Sequence, residues 1–375
     1  MATPTLLIAS RKGLFTANRS PKGAWEIASH HFHGEPVTQV LSDPRDGTWY
    51  VSLRLGHYGV KMKKSVDRGA TWTEIPAPVF PKKPEVGAWA DDTTPWTVEL
   101  VWSLAAGGAT QPGMLWAGCM PAGMFRSNDG GASWNLCESF WLDERRKAWM
   151  GGGNDHPGLH SISVDPRDDR RATIAISCGG VWRTHDSGAT WQLIGNGLDA
   201  QYMPAGLAAD PNVQDVHSLS VCAAKPEVMW AQHHSGVYRS TDGGENFVRL
   251  TAPMQGDFGF VIVADPANPL RAWVAPALSD MYRYAVDGAM CVARTDDGGK
   301  TWQLFRNGLP QTHAYHLVYR HGLALAPTVG AERLLAMAST TGGAWVSEDS
   351  GENWMTIDAA LPPVAAVGWA ASGSA

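Results

Sequence analysis

Three histidines in this 375-residue chain stand in matching surroundings. His160-Ser161-Ile162-Ser163-Val164 and His217-Ser218-Leu219-Ser220-Val221 are near copies, and His316 starts a third apolar segment in the same manner. Neutral imidazole together with carboxylate is a ligand set for zinc, manganese or iron. Because histidine titrates near neutrality, the same groups could instead move protons without a metal. Glu35 and Glu99 precede two further apolar segments and are the carboxylates that could assist. The candidate catalytic set is therefore His160, His217, His316, Glu35 and Glu99, and the candidate metal ligands are His160, His217, His316 and His234. The alternative is a polar, water-filled space that these imidazoles merely hydrate.

The elements that would position them come from a repeat. Thr184-His185-Asp186-Ser187-Gly188-Ala189-Thr190-Trp191 has five counterparts, Ser65 to Trp72, Ser127 to Trp134, Ser240 to Phe247, Thr295 to Trp302 and Ser347 to Trp354. Each has a hydroxyl residue first, Asp third, Gly fifth and an aromatic residue eighth. An Asp that accepts backbone N–H groups ahead of it, with a Gly supplying positive φ, specifies a tight hairpin turn. The aromatic residue is expected to turn inward and be buried. Successive aspartates are 62, 57, 56, 55 and 52 residues apart, which is one four-stranded blade per repeat.

The stretch resembles the Asp-box, or bacterial neuraminidase repeat, of sialidase-like β-propellers. That resemblance implies an all-β propeller over residues 1–375 as a single domain, with the six box aspartates structural. Thr16-Ala17-Asn18 followed by Trp25 reads as a decayed box, which makes seven blades. The first blade lacks a strand that Pro363 to Trp369 can supply, so N- and C-terminal strands are expected to close the ring in one blade. Inner strands are expected to begin near Val37, Thr97, Leu159, Val216, Gly259 and Tyr315. Sialidase chemistry itself is not expected. The Phe/Tyr-Arg-Ile-Pro motif is missing ahead of the first box, and Arg126, Arg183, Arg239 and Arg294 precede boxes on outer strands rather than converging.

In such a ring the turns between second and third strands crowd the channel mouth, which brings forward Arg11, His57, Cys178, His233, His234, Asp280 and Thr340. The insertion 135–157 reads as a lid in which Trp141, Arg145, Trp149 and His156 could hold a small ligand, with Gly151 to Gly153 as a hinge or a point of close approach. Arg11, His57 and His233 complete the candidate substrate-binding set. The reading is a small-molecule-binding propeller, a hydrolase or lyase with a His/Glu site that could use a divalent metal. The other reading is a non-catalytic module, because the fold also resembles the photosystem II assembly factor and sortilin-type propellers that bind polypeptides. A formal charge of −6 gives no basic footprint for nucleic acid or an anionic membrane. Five cysteines without a close pair argue against a disulfide framework. The start of the chain lacks a signal-peptide pattern, so a cytoplasmic location and a small soluble ligand or protein partner are expected.

Overall fold

The computed structural model describes residues 4–251, 256–327 and 333–370. Seven four-stranded antiparallel sheets follow one another along the chain. The first is closed by both ends: Val364–Ala370 pairs with Thr5–Ser10, which continues to Gly13–Arg19 and Trp25–His31. Joining the termini in this sheet pairs backbone groups that would otherwise form open edges. The seven-bladed propeller and its closure are thus as expected.

The inner strands of blades two to seven are Val37–Ser42, Leu100–Ala106, Leu159–Val164, Val216–Val221, Gly259–Ala264 and Leu323–Leu325. Four begin where expected. Blade three starts at Leu100 instead of near Thr97. Blade seven starts at Leu323, because a turn closed by the Gly322 N–H and the Tyr319 carbonyl at 2.8 Å interrupts the segment that begins at Tyr315.

Blades two to six share a break in register close to the start of the inner strand, between Val37 and Gln39, Val101 and Ser103, Leu159 and Ser161, Val216 and Ser218, and Gly259 and Ile262. The skipped residues are Thr38, Trp102, His160, His217 and the pair Phe260–Val261. A bulge leaves its extra residue unpaired and re-aims its side chain, so these positions form one layer around the channel.

Each eight-residue repeat is a hairpin of one design. In the clearest copy Asp186 Oδ1 accepts the Thr184 hydroxyl and the Thr190 N–H, both at 2.8 Å, and Oδ2 accepts the Thr190 hydroxyl at 2.6 Å. Thr184 Oγ1 in turn accepts the Gly188 N–H at 2.9 Å. Gly188 has φ +86°. A Cβ there would stand 3.0 Å from the Trp116 ring and 3.1 Å from Cys137 Sγ, which belong to the preceding blade. Arginines ahead of the repeats reach the next blade: Arg126 donates to the Ser187 carbonyl at 2.7 Å and Arg183 to the Gly243 carbonyl at 3.1 Å. The aromatic residue is less deeply placed than expected. Phe247 and Trp354 are buried, but Trp72, Trp134, Trp191 and Trp302 are half-exposed, because fully buried tryptophans such as Trp116, Trp230 and Trp273 already fill the space between sheets.

Candidate functional site at the channel mouth

The turn Ile176 to Gly180 in blade four and the turn His233 to Gly236 in blade five bring Cys178 and His234 to the mouth beside the start of the inner strand at Val216. Asp215 precedes that strand. Its Oδ2 lies 3.3 Å from His217 Nε2 and 3.4 Å from His234 Nδ1. One donor atom from each residue lies within 4.8 Å of the others, a group able to hold a metal ion. Asp215 and His217 are buried, whereas the His234 side chain is 24% exposed and reaches the opening.

Hydrogen bonding places one proton of this cluster. His217 Nδ1 lies 2.6 Å from the Gly259 carbonyl, which can only accept, so Nδ1 carries the proton. In the neutral ring, Nε2 then presents a lone pair to a carboxylate oxygen. Burial lowers the His217 pKa, which favours that neutral ring. Burial would raise the Asp215 carboxyl, but the hydrogen bond from His234 and the Arg320 guanidinium hold it well below the usual carboxylate range. Asp215 Oδ1 is buried with no hydrogen-bond partner. Two acceptors at 3.3 Å and an orphaned carboxylate oxygen leave room in the chemistry for a cation between them. This donor set, two imidazole nitrogens and a carboxylate, fits a divalent ion.

Around the cluster, Tyr202 packs edge-on against His234 with centroids 4.7 Å apart, and Phe258 lies 5.6 Å from the same ring. The Cys178 thiol is pushed up to about 12, first by burial and then by the Asp215 charge, so it stays protonated. Gly152, at φ +50°, passes over both: a Cβ there would be 2.7 Å from Cys178 Sγ and 3.5 Å from Asp215 Oδ2. The glycine run of the 135–157 insertion therefore provides close approach. Asp280 Oδ2 is 4.0 Å from His234 Nε2, and Asp280 Oδ1 accepts from Arg283 Nη2 at 2.6 Å.

On the facing arc a cavity of about 680 Å³ is lined by Arg11, Arg54, Trp102, Tyr319 and Thr340, among others. Among the described residues the guanidinium groups of Arg11 and Arg54 form no ion pair. Glu99 and His156 meet at this end of the channel with Oε1 and Nε2 3.8 Å apart.

Other expected site residues fall elsewhere. His160 shares the bulge position with His217, but both of its nitrogens are engaged: Nε2 donates to the Val216 carbonyl at 2.7 Å, and Nδ1 pairs with Ser161 Oγ at 2.9 Å. It has no lone pair left for a metal. His316 does not share the register, since it lies ahead of the blade-seven strand, bonded through Nδ1 to Thr341 Oγ1 at 2.7 Å and packed on Trp345. His233 is fully buried, its Nδ1 accepting the Ser235 N–H at 3.0 Å, and burial pushes its pKa down to about 3. It braces the turn that presents His234. His57 is exposed and packs at a tilt against Tyr58. Glu35 does not join the metal-capable group.

Trp141, Arg145 and Trp149 serve the insertion rather than the mouth. Trp141 is fully buried, Trp149 Nε1 donates to Asn212 Oδ1 at 2.9 Å, and Arg145 pairs with Asp143 at 2.6 Å while lying over the Trp182 ring. The buried Arg146, bonded to Asp92 at 2.6 Å and stacked on Trp141, holds the segment to its blade. Asp215, Arg54 and Arg320 were not singled out from the sequence. Asp215 was within reach of it, because positions two apart on an extended segment share a face and Asp215 stands two before His217.

No protein-family model matches the chain. It is similar to a xyloglucanase of Paenibacillus sp, 24% identical over 286 residues, covering 64% of this chain and 26% of that protein. It is likewise similar to an oligoxyloglucan-reducing end-specific xyloglucanase of Emericella nidulans, 24% identical over 273 residues, covering 64% of this chain and 30% of that one. The chain thus spans between a quarter and a third of the length of these relatives. Among solved structures, an ancestral GH74 enzyme superposes with a TM-score of 0.56 at 15% identity, over 98% of this chain and 40% of that one. A protein from Lactobacillus plantarum superposes with a TM-score of 0.57 at 12% identity, over 98% of this chain and 99% of the other. At these identities what the chain shares with the two solved structures is the propeller fold.

Proposed function

We propose that the chain is a hydrolase acting on a small soluble substrate at the channel mouth, with Asp215, His217 and His234 as its metal-binding group. The observation that carries this reading is the His217 tautomer. Its proton is committed to the Gly259 carbonyl, so its lone pair and the Asp215 carboxylate converge on a place that a cation would occupy. A divalent ion bound there would lower the pKa of a water molecule and supply hydroxide near neutrality.

The protein's own groups have separable tasks. Asp215, kept ionised in a buried setting, provides the negative charge and orients the His234 ring, while the Gly259 carbonyl orients His217. His234, the exposed member, faces the substrate side, where Asp280 can accept a proton from it or position its ring. Arg11 and Arg54, which form no ion pair among the described residues, offer guanidinium donors to substrate oxygens, and Trp102 and Tyr319 give the cavity flat apolar walls. That lining suits a polyhydroxylated or oxygen-rich molecule, in keeping with relatives named xyloglucanases.

The test is turnover. Purified protein with and without added zinc, manganese or iron is assayed against xyloglucan oligosaccharides and a panel of small esters and lactones. Hydrolysis that disappears with a chelator, returns with one metal and is lost in His234→Gln supports the reading. Hydrolysis indifferent to the chelator would assign His234 as a metal-free general base backed by Asp215. No hydrolysis together with no metal binding would sink both and leave a binding module.

A further inference from the structure

We infer that the central channel, below the mouth, holds a small oxyanion, a carboxylate or a phosphate, at Arg320. The residue is 5% exposed, and its Nε and Nη1 are buried without a hydrogen-bond partner. Among the described residues it makes no ion pair. Its guanidinium lies over three rings, Trp102 at 4.7 Å, Tyr319 at 5.1 Å and Phe260 at 5.4 Å. These contacts partly replace lost hydration, but an aromatic face does not neutralise charge.

Among the described residues no carboxylate is bonded to Arg320. Asp215 feels the Arg320 charge, but its Oδ2 faces His217 and His234 and its Oδ1 bonds no group, so it does not pair with Arg320. His160 and His321 are held neutral, by burial first and with Arg320 adding to it, so they contribute no charge of either sign. A permanent cation is therefore buried in the channel with two of its N–H groups unbonded, and the Asp215 charge it feels is not paired with it directly. Arginine does not escape that cost by losing its proton, as a lysine would.

Arg320 lines a chamber of about 220 Å³, with Gln39, Ser161, Ser218, Ser220 and His321 among its neighbours. The space equals about seven water molecules at roughly 30 Å³ each, enough for phosphate or a carboxylate of a few carbons. Ser220 Oγ accepts the Ala264 N–H at 2.9 Å, which leaves its hydroxyl hydrogen for a ligand. Apart from the bulge residue His160, the inner-strand residues that line it lie past the bulges, on the side away from the mouth, so this chamber is separate from the proposed hydrolytic site. Trp102 borders the mouth cavity, while His160 and Arg320 border the lower chamber, and the Trp102–His160 and Phe260–Tyr319 ring contacts fill the waist between.

The experiment is calorimetric titration of the full chain, at matched ionic strength and with chelator present, using inorganic phosphate, acetate and malonate with chloride as control. At least one oxyanion should bind saturably at one site, and affinity should fall tenfold or more in Arg320→Met. Phosphate binding alone, or carboxylate binding alone, tells which source of oxyanion the chamber takes. Because Arg320→Met removes a packed side chain, Ser220→Ala is the second variant, expected to weaken the same anion at least threefold in a folded protein. Arg11→Gln with Arg54→Gln should leave this binding in place. Failure of every oxyanion to saturate the wild type, or full affinity in both channel variants, or loss only in the mouth variant, would overturn the inference without touching the Asp215 site.

Discussion

Gly188→Ala separates two energies that the repeated hairpin combines. Gly188 has φ +86° and Gly34 has φ +85°, so an alanine at either meets the same backbone penalty. Left-handed backbone costs an L-residue about 1–2 kcal/mol. Their surroundings differ: the new Cβ at Gly34 meets nothing within 4 Å, whereas at Gly188 it stands 3.0 Å from the Trp116 ring and 3.1 Å from Cys137 Sγ. Trp116 is fully buried between sheets, so it has little room to yield. Overpacking of this kind costs about 1–3 kcal/mol. The expected losses are about 1–2 kcal/mol for Gly34→Ala and about 2–5 kcal/mol for Gly188→Ala. Gly206→Ala, with no positive φ and nothing within 4 Å, is the control and should change little. Urea unfolding followed by tryptophan fluorescence gives all three, compared through their midpoints at constant m. Equal losses at Gly188 and Gly34 would show that the hairpin does not press on its neighbour, and the account of blade-to-blade packing would fail.

Three further outcomes are expected. Asp186→Ala removes an acceptor of three hydrogen bonds, but its partners Thr190 N and Oγ1 are exposed and can be rehydrated, so the cost should be about 1–2 kcal/mol by the same urea assay. Deleting residues 361 to 375 removes the strand that pairs with Thr5–Ser10, and light scattering should show aggregation that the full chain does not. Stability should also decline in mild acid. Burial pushes His321 down to about 4 and holds His160 well below its ordinary value, while unfolded imidazole titrates near 6.5. The unfolded chain then binds more protons below that pH, so stability is complete above about pH 6.5 and falls toward pH 4 by up to about 1.4 kcal/mol per unit for each histidine. A melting temperature flat from pH 7 to pH 4.5 would contradict the neutral assignment.

The repeat made the fold legible because Asp, Gly and hydroxyl residues at fixed spacing leave a hairpin few alternatives, and the six copies also set the blade count. The missing first strand and the apolar Pro363 to Trp369 segment made the closure legible for the same reason. His217 and His234 could be picked out by residue type and by position in strand and turn. What could not be seen was the hydrogen bonding that divides equivalent residues: His160 and His217 occupy the same bulge, yet a serine and a carbonyl occupy both nitrogens of one, while the other faces Asp215. Trp141 and Trp149 look alike to a ligand-binding pair until Phe140, Trp182 and Asn212 are placed beside them. Arg320 was hidden by the late start of the blade-seven strand, which moves the segment from Tyr315 to Tyr319 out of the inner ladder and leaves Arg320 at the channel.

The most direct test of the central claim is the metal stoichiometry of the Asp215 group. Protein stripped with chelator and dialysed against zinc or manganese is analysed by inductively coupled plasma mass spectrometry, alongside Asp215→Asn and His160→Gln. The account predicts about one tightly held ion per chain, lost in Asp215→Asn and kept in His160→Gln, because both His160 nitrogens are already bonded within the protein. Wild-type protein that retains no ion, or an Asp215→Asn variant that retains a full one, would contradict it.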